Sequence, residues 1–144
     1  MAIQRILCAT DFSASASHAL DYAADLCARL RATLVILHVY QPPPGTHRTA
    51  TNHRDAAATE KIEDLYRQQL EDLVAPLRAS VDSLSCELAE GPAWERILNH
   101  AKQSDADLIV IGRNGRAGLS QLFVGSTATR VVKNAAVPVL TVRA

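Results

Sequence analysis

Fifteen Lys and Arg residues balance fifteen Asp and Glu residues in this 144-residue chain, which leaves no broad basic face to neutralise the phosphates of a nucleic-acid duplex. The length is that of a single domain spanning residues 1–144, with a core that buries roughly 70% of the unfolded chain's surface. No window approaches the roughly 18 apolar residues of a membrane span, and no signal-peptide pattern opens the chain, so a soluble, cytoplasmic protein is expected.

Cys8, Cys27 and Cys86 are odd in number, far apart and set in apolar surroundings, which makes them buried free thiols rather than a disulfide framework. The five histidines (His18, His38, His47, His53, His100) form no metal-ligand spacing with them. No structural transition-metal site is expected.

In chain order, Ile3 to Ala9 is a nearly continuous apolar run of the kind that forms a strand covered on both faces. Ala16, Ala19, Leu20, Ala23, Cys27 and Leu30 then fall at helical spacing, with Ser13 or Ser15 as the cap. Leu34 to Val39 reads as a second central strand. The proline-led segment from Gln41 to Arg54 follows. It reads as a solvated linker, the alternative being a lid that brings Arg48 or Arg54 to a bound nucleotide. A second helix carries Ile62, Leu65, Tyr66, Leu73 and Leu77. Leu84-Ser-Cys-Glu-Leu88 alternates apolar and polar and predicts an edge strand. Gly91-Pro92 starts a third helix with Ile97, Leu98 and Ala101 on one side. Leu108 to Ile111 is a third central strand. The last helix is predicted from about Ser126 to Asn134 with Val131 and Val132 inward. Val137-Pro-Val-Leu-Thr-Val142 closes the chain as the other edge, since its proline cannot donate to a ladder.

Strands alternating with helices through five units define an α/β fold, a single doubly wound five-stranded parallel sheet with right-handed crossovers and helices on both faces. The two edges fit the strand order 3-2-1-4-5. Winding then reverses between the first and fourth strands, and ligands of such sheets bind beyond the strand ends at that reversal. Thr10-Asp11 and Gly112 to Gly115 flank it.

The spacing Gly112-Arg-Asn-Gly115, nine residues, then Gly125-Ser126 opens at the end of Asp107-Leu-Ile-Val-Ile111. Glycines after a buried strand let backbone N–H groups approach an anion, and Ser126-Thr127 begins a helix whose positive end adds to the attraction. Together they read as a nucleotide-phosphate cradle. Asp11 sits where a carboxylate reaches ribose hydroxyls or a hydrated metal ion, although an Asp in that place also serves plain turns. Arg116 is read as a brace of the loop. Trp94 is read as packing, and Tyr40 either covers a base or shields the mouth of the cleft.

The stretch Gly112 to Ser126 resembles the G-x2-G-x9-G-Ser/Thr signature of the ATP-binding branch of the universal stress protein family. The resemblance extends through Ile6-Leu-Cys-Ala-Thr-Asp11, Leu37-His-Val39, Glu90-Gly-Pro-Ala93 and Val137-Pro-Val-Leu-Thr-Val142. It implies the same fold and strand order, ATP as ligand together with Mg²⁺ or Mn²⁺, and little ATPase activity. A homodimer through the fifth strand and an unidentified protein partner in stress signalling are also implied. Carried over residue by residue, it assigns Ala9, Thr10 and Val39 to the adenine pocket, Asp11 to the ribose and Ile111 to the surface beneath the sugar. Gly112, Arg113, Gly115, Gly125, Ser126 and Thr127 match the phosphate-binding stretch.

No nucleophile or general base can be named, so an efficient enzyme is not expected. An AMP-transferring enzyme of the wider adenine-nucleotide class would need glycine and lysine in the loop after the first strand, and Thr10-Asp-Phe-Ser-Ala14 has neither. A phosphoacceptor receiver domain would need an acidic pair after the first strand and an aspartate after the third, where this chain has Ala89-Glu90. A ligand-free interaction module is disfavoured by the complete glycine signature.

Overall fold

The computed structural model describes residues 1–42, 53–114 and 124–144, residues 53–56 by backbone alone. Among the described residues five strands alternate with four α-helices: β1 (Arg5–Thr10), α1 (Ala14–Leu30), β2 (Thr33–Tyr40), α2 (His53–Val74), β3 (Leu84–Glu90), α3 (Ala93–Gln103), β4 (Leu108–Gly112), α4 (Ser126–Asn134) and β5 (Val139–Val142). All strand pairs are parallel, in the order β3-β2-β1-β4-β5. The expected doubly wound topology is therefore the observed one.

Side-chain alternation along the strands divides the core in two. Ile6, Cys8, Leu34, Ile36, Leu108 and Val110 pack beneath α1 and α2. Leu7, Ala9, Val35, Leu37, Ile109 and Ile111 pack on the opposite face beneath α3 and α4. Covered on both sides, β1 and β2 read as nearly continuous apolar runs, which is why they were legible without alternation.

Two inward expectations fail for one geometric reason. Leu65 is 68% exposed and Val132 52% exposed. Each lies one residue, about 100° of helix rotation, from a residue directed toward the sheet: Tyr66 with Leu70 and Val74 in α2, Val131 with Ala128 in α4. Leu30, at the last position of α1, is also exposed. Of the three thiols, Cys8 and Cys27 are buried, while Cys86 on the edge strand β3 is only half-buried.

Asp107 ties the start of β4 to the start of β1. One of its oxygens, Oδ2, accepts hydrogen bonds from the backbone N–H groups of Gln4 (2.8 Å) and Arg5 (2.9 Å). These two donors, helped by the Arg5 guanidinium, hold the carboxyl below the usual carboxylate range. A depressed native pKa stabilises the fold above the unfolded-state value, near 3.9, and that contribution disappears as pH falls through the native value. Asp107→Asn is accordingly expected to be less stable than the parent at neutral pH, with the gap closing as acid protonates Asp107. Urea unfolding at a series of pH values checks this, and a gap independent of pH would contradict it.

Candidate functional site

A cleft of about 290 Å³ opens beyond the carboxyl ends of β1, β2 and β4. It lies on the α3/α4 side, at the winding reversal between β1 and β4. Its floor is apolar: Ala9 at the end of β1, Leu37 and Val39 from β2, Ile111 from β4. Ala93 and Ile97 from the first turns of α3 wall one side. The polar rim comes from Thr10 and Asp11 after β1, from Gly112, Arg113 and Asn114 after β4, and from Gly125, Ser126 and Thr127 at the start of α4. Thus ten of the eleven residues singled out in the sequence line one cleft. Gly115, like Arg116 and Arg48, lies outside the described residues, as does the side chain of Arg54.

The corner between β1 and α1 is tied by short-range bonds. Phe12 N–H donates to Thr10 Oγ1 (3.1 Å) and Ser13 N–H to Asp11 Oδ1 (2.9 Å). Ser13 then caps α1, its Oγ accepting from Ala16 N–H at 3.2 Å. Asp11 therefore serves the turn with one carboxylate oxygen while it lines the cleft. Phe12 has φ +62°, a left-handed conformation that costs a residue with a side chain roughly 1–2 kcal/mol. Packing of its ring offsets that cost: the Phe12 and His38 ring centres are 4.6 Å apart, and Phe12 stacks parallel to Tyr66 at 6.4 Å.

The glycine motif is anchored at both ends. The Arg113 peptide donates its N–H to Val142 O (2.8 Å) and accepts from Gly125 N–H (2.7 Å), so the end of β4 and the start of α4 are pinned to each other. Gly125 is the N-cap of α4, and among the described residues no side chain caps the helix. The opening N–H groups of an α-helix have no partner within it, and the helix dipole makes that end attractive to anions. Here that end borders the cleft. Gly112 is explained separately by packing: a Cβ added there would stand 2.8 Å from the backbone carbon and oxygen of Ser15 in α1.

Ser15 is a residue whose role the sequence reading missed, having weighed it only as a cap. It is buried, and its Oγ accepts from Asn114 N–H at 3.2 Å, so the first turn of α1 holds the first turn of the glycine loop. No spacing signals such a contact, because it joins residues 99 positions apart.

Tyr40 does not cover the cleft. Neighbouring side chains of a strand point to opposite faces, and with Val39 on the cleft side Tyr40 is directed toward α2. There it is buried, donates its hydroxyl to Glu63 Oε1 and packs on Tyr66. Trp94 is a packing residue, half-buried against the α3/α4 core with the Arg130 guanidinium 5.8 Å from its ring centre. Among the described residues no cluster of three or more His, Cys, Asp or Glu side chains could hold a metal ion, and no helix is long and apolar enough to cross a membrane.

An α/β sheet wound in this order, with a cleft at its reversal, defines the doubly wound class of architecture. Residues 2–143 match the family described as Universal stress protein family, and the chain belongs to it. The relative YxiE of Bacillus subtilis is 31% identical over 147 aligned positions, covering 96% of this chain and 98% of the relative. The solved universal stress protein UspA from Lactobacillus plantarum superposes with a TM-score of 0.84 at 26% identity, over 99% of both chains. Two solved structures sharing the fold are described as complexes, one universal stress protein with cAMP and one from Archaeoglobus fulgidus with dAMP. They have TM-scores of 0.68 and 0.66 and identities of 24% and 23%, and each covers at least 98% of both chains.

Proposed function

We propose that this chain binds ATP in the cleft, one molecule per chain, and acts as a regulatory module rather than an efficient enzyme. The observation that carries the reading is the convergence of an apolar floor with the uncapped start of α4 at one end of the sheet. A flat apolar ring fits the floor of Ala9 and Val39, with Ile111 beneath the sugar, while the phosphates meet the N–H groups and hydroxyls of Gly125, Ser126 and Thr127. The cAMP and dAMP complexes of the fold support an adenine nucleotide as the ligand class. Asp11 is the acidic side chain among the described residues lining the cleft. One carboxylate suits Mg²⁺ or Mn²⁺ arriving with the triphosphate, because Mg²⁺ keeps most of its waters and takes its other ligands from phosphate.

Calorimetric titration with ATP and Mg²⁺ tests the proposal, with AMP and cAMP as competitors. One saturable site per chain is expected, with a stabilisation of about 2.7 kcal/mol at a ligand concentration of 100 times Kd. ATP turnover is expected to stay far below ordinary enzyme rates of about 1–1000 per second. No saturable heat at millimolar ATP, with no shift in melting, would overturn the reading in favour of a ligand-free module. Turnover at ordinary rates would overturn the regulatory role.

The same reading includes a homodimer through β5. Peptide groups of alternate residues in a parallel strand point to opposite sides. The bonds from Ile109 N–H to Pro138 O and from Arg113 N–H to Val142 O place the even-numbered residues of this strand against β4. Val139 and Thr141 therefore present their N–H and C=O groups to the open edge. Pro138, expected to blunt that edge, lacks its donor on the β4 side and leaves the outer row intact. A second copy running antiparallel about a two-fold axis would satisfy that row and cover Val139 and Leu140.

A further inference from the structure

Among the buried polar side chains, His38 lies outside the cleft. It sits next to Val39 in β2 and is directed to the other face of the sheet, where it is 5% exposed. Its ring is held between Phe12, with ring centres 4.6 Å apart, and Tyr66 of α2 at 4.5 Å. Its Nδ1 is 2.8 Å from the carbonyl oxygen of Thr10. A carbonyl oxygen only accepts, so Nδ1 carries a proton and donates it. That hydrogen bond reaches the last residue of β1 at the point where the chain turns into the cleft.

We infer that His38 is a positioning residue for the nucleotide cleft: from behind the sheet it fixes the Thr10 carbonyl, and with it the left-handed turn at Phe12 that aims Asp11. This inference rests on the ligand reading above for its effect on affinity, and on geometry alone for its effect on the turn. The chain of contacts is continuous. Nδ1 holds Thr10, the ring supports Phe12, and the Thr10 and Asp11 side chains in turn accept the N–H groups of Phe12 and Ser13. Because Tyr66 packs on both Phe12 and His38, α2 rests on the back of the corner whose front lines the cleft.

Two substitutions separate the donor from the ring. His38→Asn keeps an N–H donor near the place of Nδ1 but removes the aromatic packing. His38→Phe keeps a ring and removes the donor. The readouts are thermal melting, hydrogen exchange of the Phe12 and Ser13 amides, and ATP affinity in the presence of Mg²⁺. Melting should follow packing, with the Asn variant lowered more than the Phe variant. Turn protection should follow the donor: Phe12 and Ser13 exchange faster in His38→Phe and near the parental rate in His38→Asn. ATP affinity should fall about tenfold in His38→Phe, the equivalent of one lost hydrogen bond, and be recovered in His38→Asn. Parental exchange at Phe12 and Ser13 in His38→Phe would overturn the inference whether or not the parent binds ATP. So would a rank order of exchange that simply follows melting. A parent that binds no ATP, with exchange still following the donor, would overturn the ligand reading and leave the positioning of the turn established.

Discussion

Gly112→Val is expected to destabilise the fold by about 3 kcal/mol, the upper part of the usual range for overpacking, because the added atoms meet main chain rather than a flexible side-chain end. The Cβ alone would stand 2.8 Å from Ser15 C, O and Oγ. Relief requires α1 to move away from β4, which would pull Ser15 Oγ from Asn114 N–H and loosen the start of the glycine loop. For a chain of this length the loss corresponds to about 10 °C in Tm. Gly125→Val provides the contrast. At φ −58° and ψ 155° the backbone suits any L residue, and its N–H bond to Arg113 O survives the change. Because valine is a poorer N-cap than glycine, a modest loss of stability well below that of Gly112→Val is expected there, together with loss of ATP binding as the side chain crowds the phosphate path. Urea unfolding and calorimetry on both variants check the pair. Parental stability in Gly112→Val, or parental affinity in a folded Gly125→Val, would contradict the roles given to these glycines.

Thr141→Pro is expected to weaken a β5-mediated dimer about 100-fold, through loss of the outward N–H in both copies and the wedge of the ring. Thr141 is exposed, and its peptide N–H faces away from β4, so the intramolecular ladder keeps its donors. The preceding Leu140 already has the extended conformation that a following proline requires. Light scattering at tens of micromolar should show a dimeric parent and a folded, monomeric variant. Val139→Asp, which buries a charge in the same contact, should act in the same direction. A monomeric parent, or a Thr141→Pro dimer of unchanged affinity, would refute the assembly.

Much of this architecture was legible because its determinants are local. Continuous apolar runs exposed β1, β2 and β4, and alternation or proline marked the edges β3 and β5. Once the order of strands was in hand, the reversal between β1 and β4 placed the cleft, and the glycine spacing fell beside it. Contacts between distant segments were opaque. Gly112 was read for its freedom to approach a phosphate, while the structure shows that α1 also demands a glycine there. Ser15 was weighed only against its own helix, and its partner Asn114 belongs to another loop. Tyr40 was placed at the cleft beside Val39, although strand alternation sends it to the opposite face, where α2 covers it. At Pro138 the residue type was visible, but the side of the strand that loses its donor depends on pairing register.

The burial of two thiols has a chemical consequence. Burial raises the Cys8 pKa to about 12, with the Cys27 thiol adding to the effect, and burial raises that of Cys27 to about 11. Only the thiolate attacks electrophiles, so in mildly alkaline solution the folded chain offers almost no reactive sulfur at the centre of its sheet. Alkylation at Cys8 must then wait for β1 to part from its neighbours, and its rate becomes a clock for whole-molecule opening. Cys86, half-buried on the edge strand β3, keeps different time, because fraying of that strand is enough to uncover it. The chain thus carries its own paired reporters, one timing the core and one timing the edge.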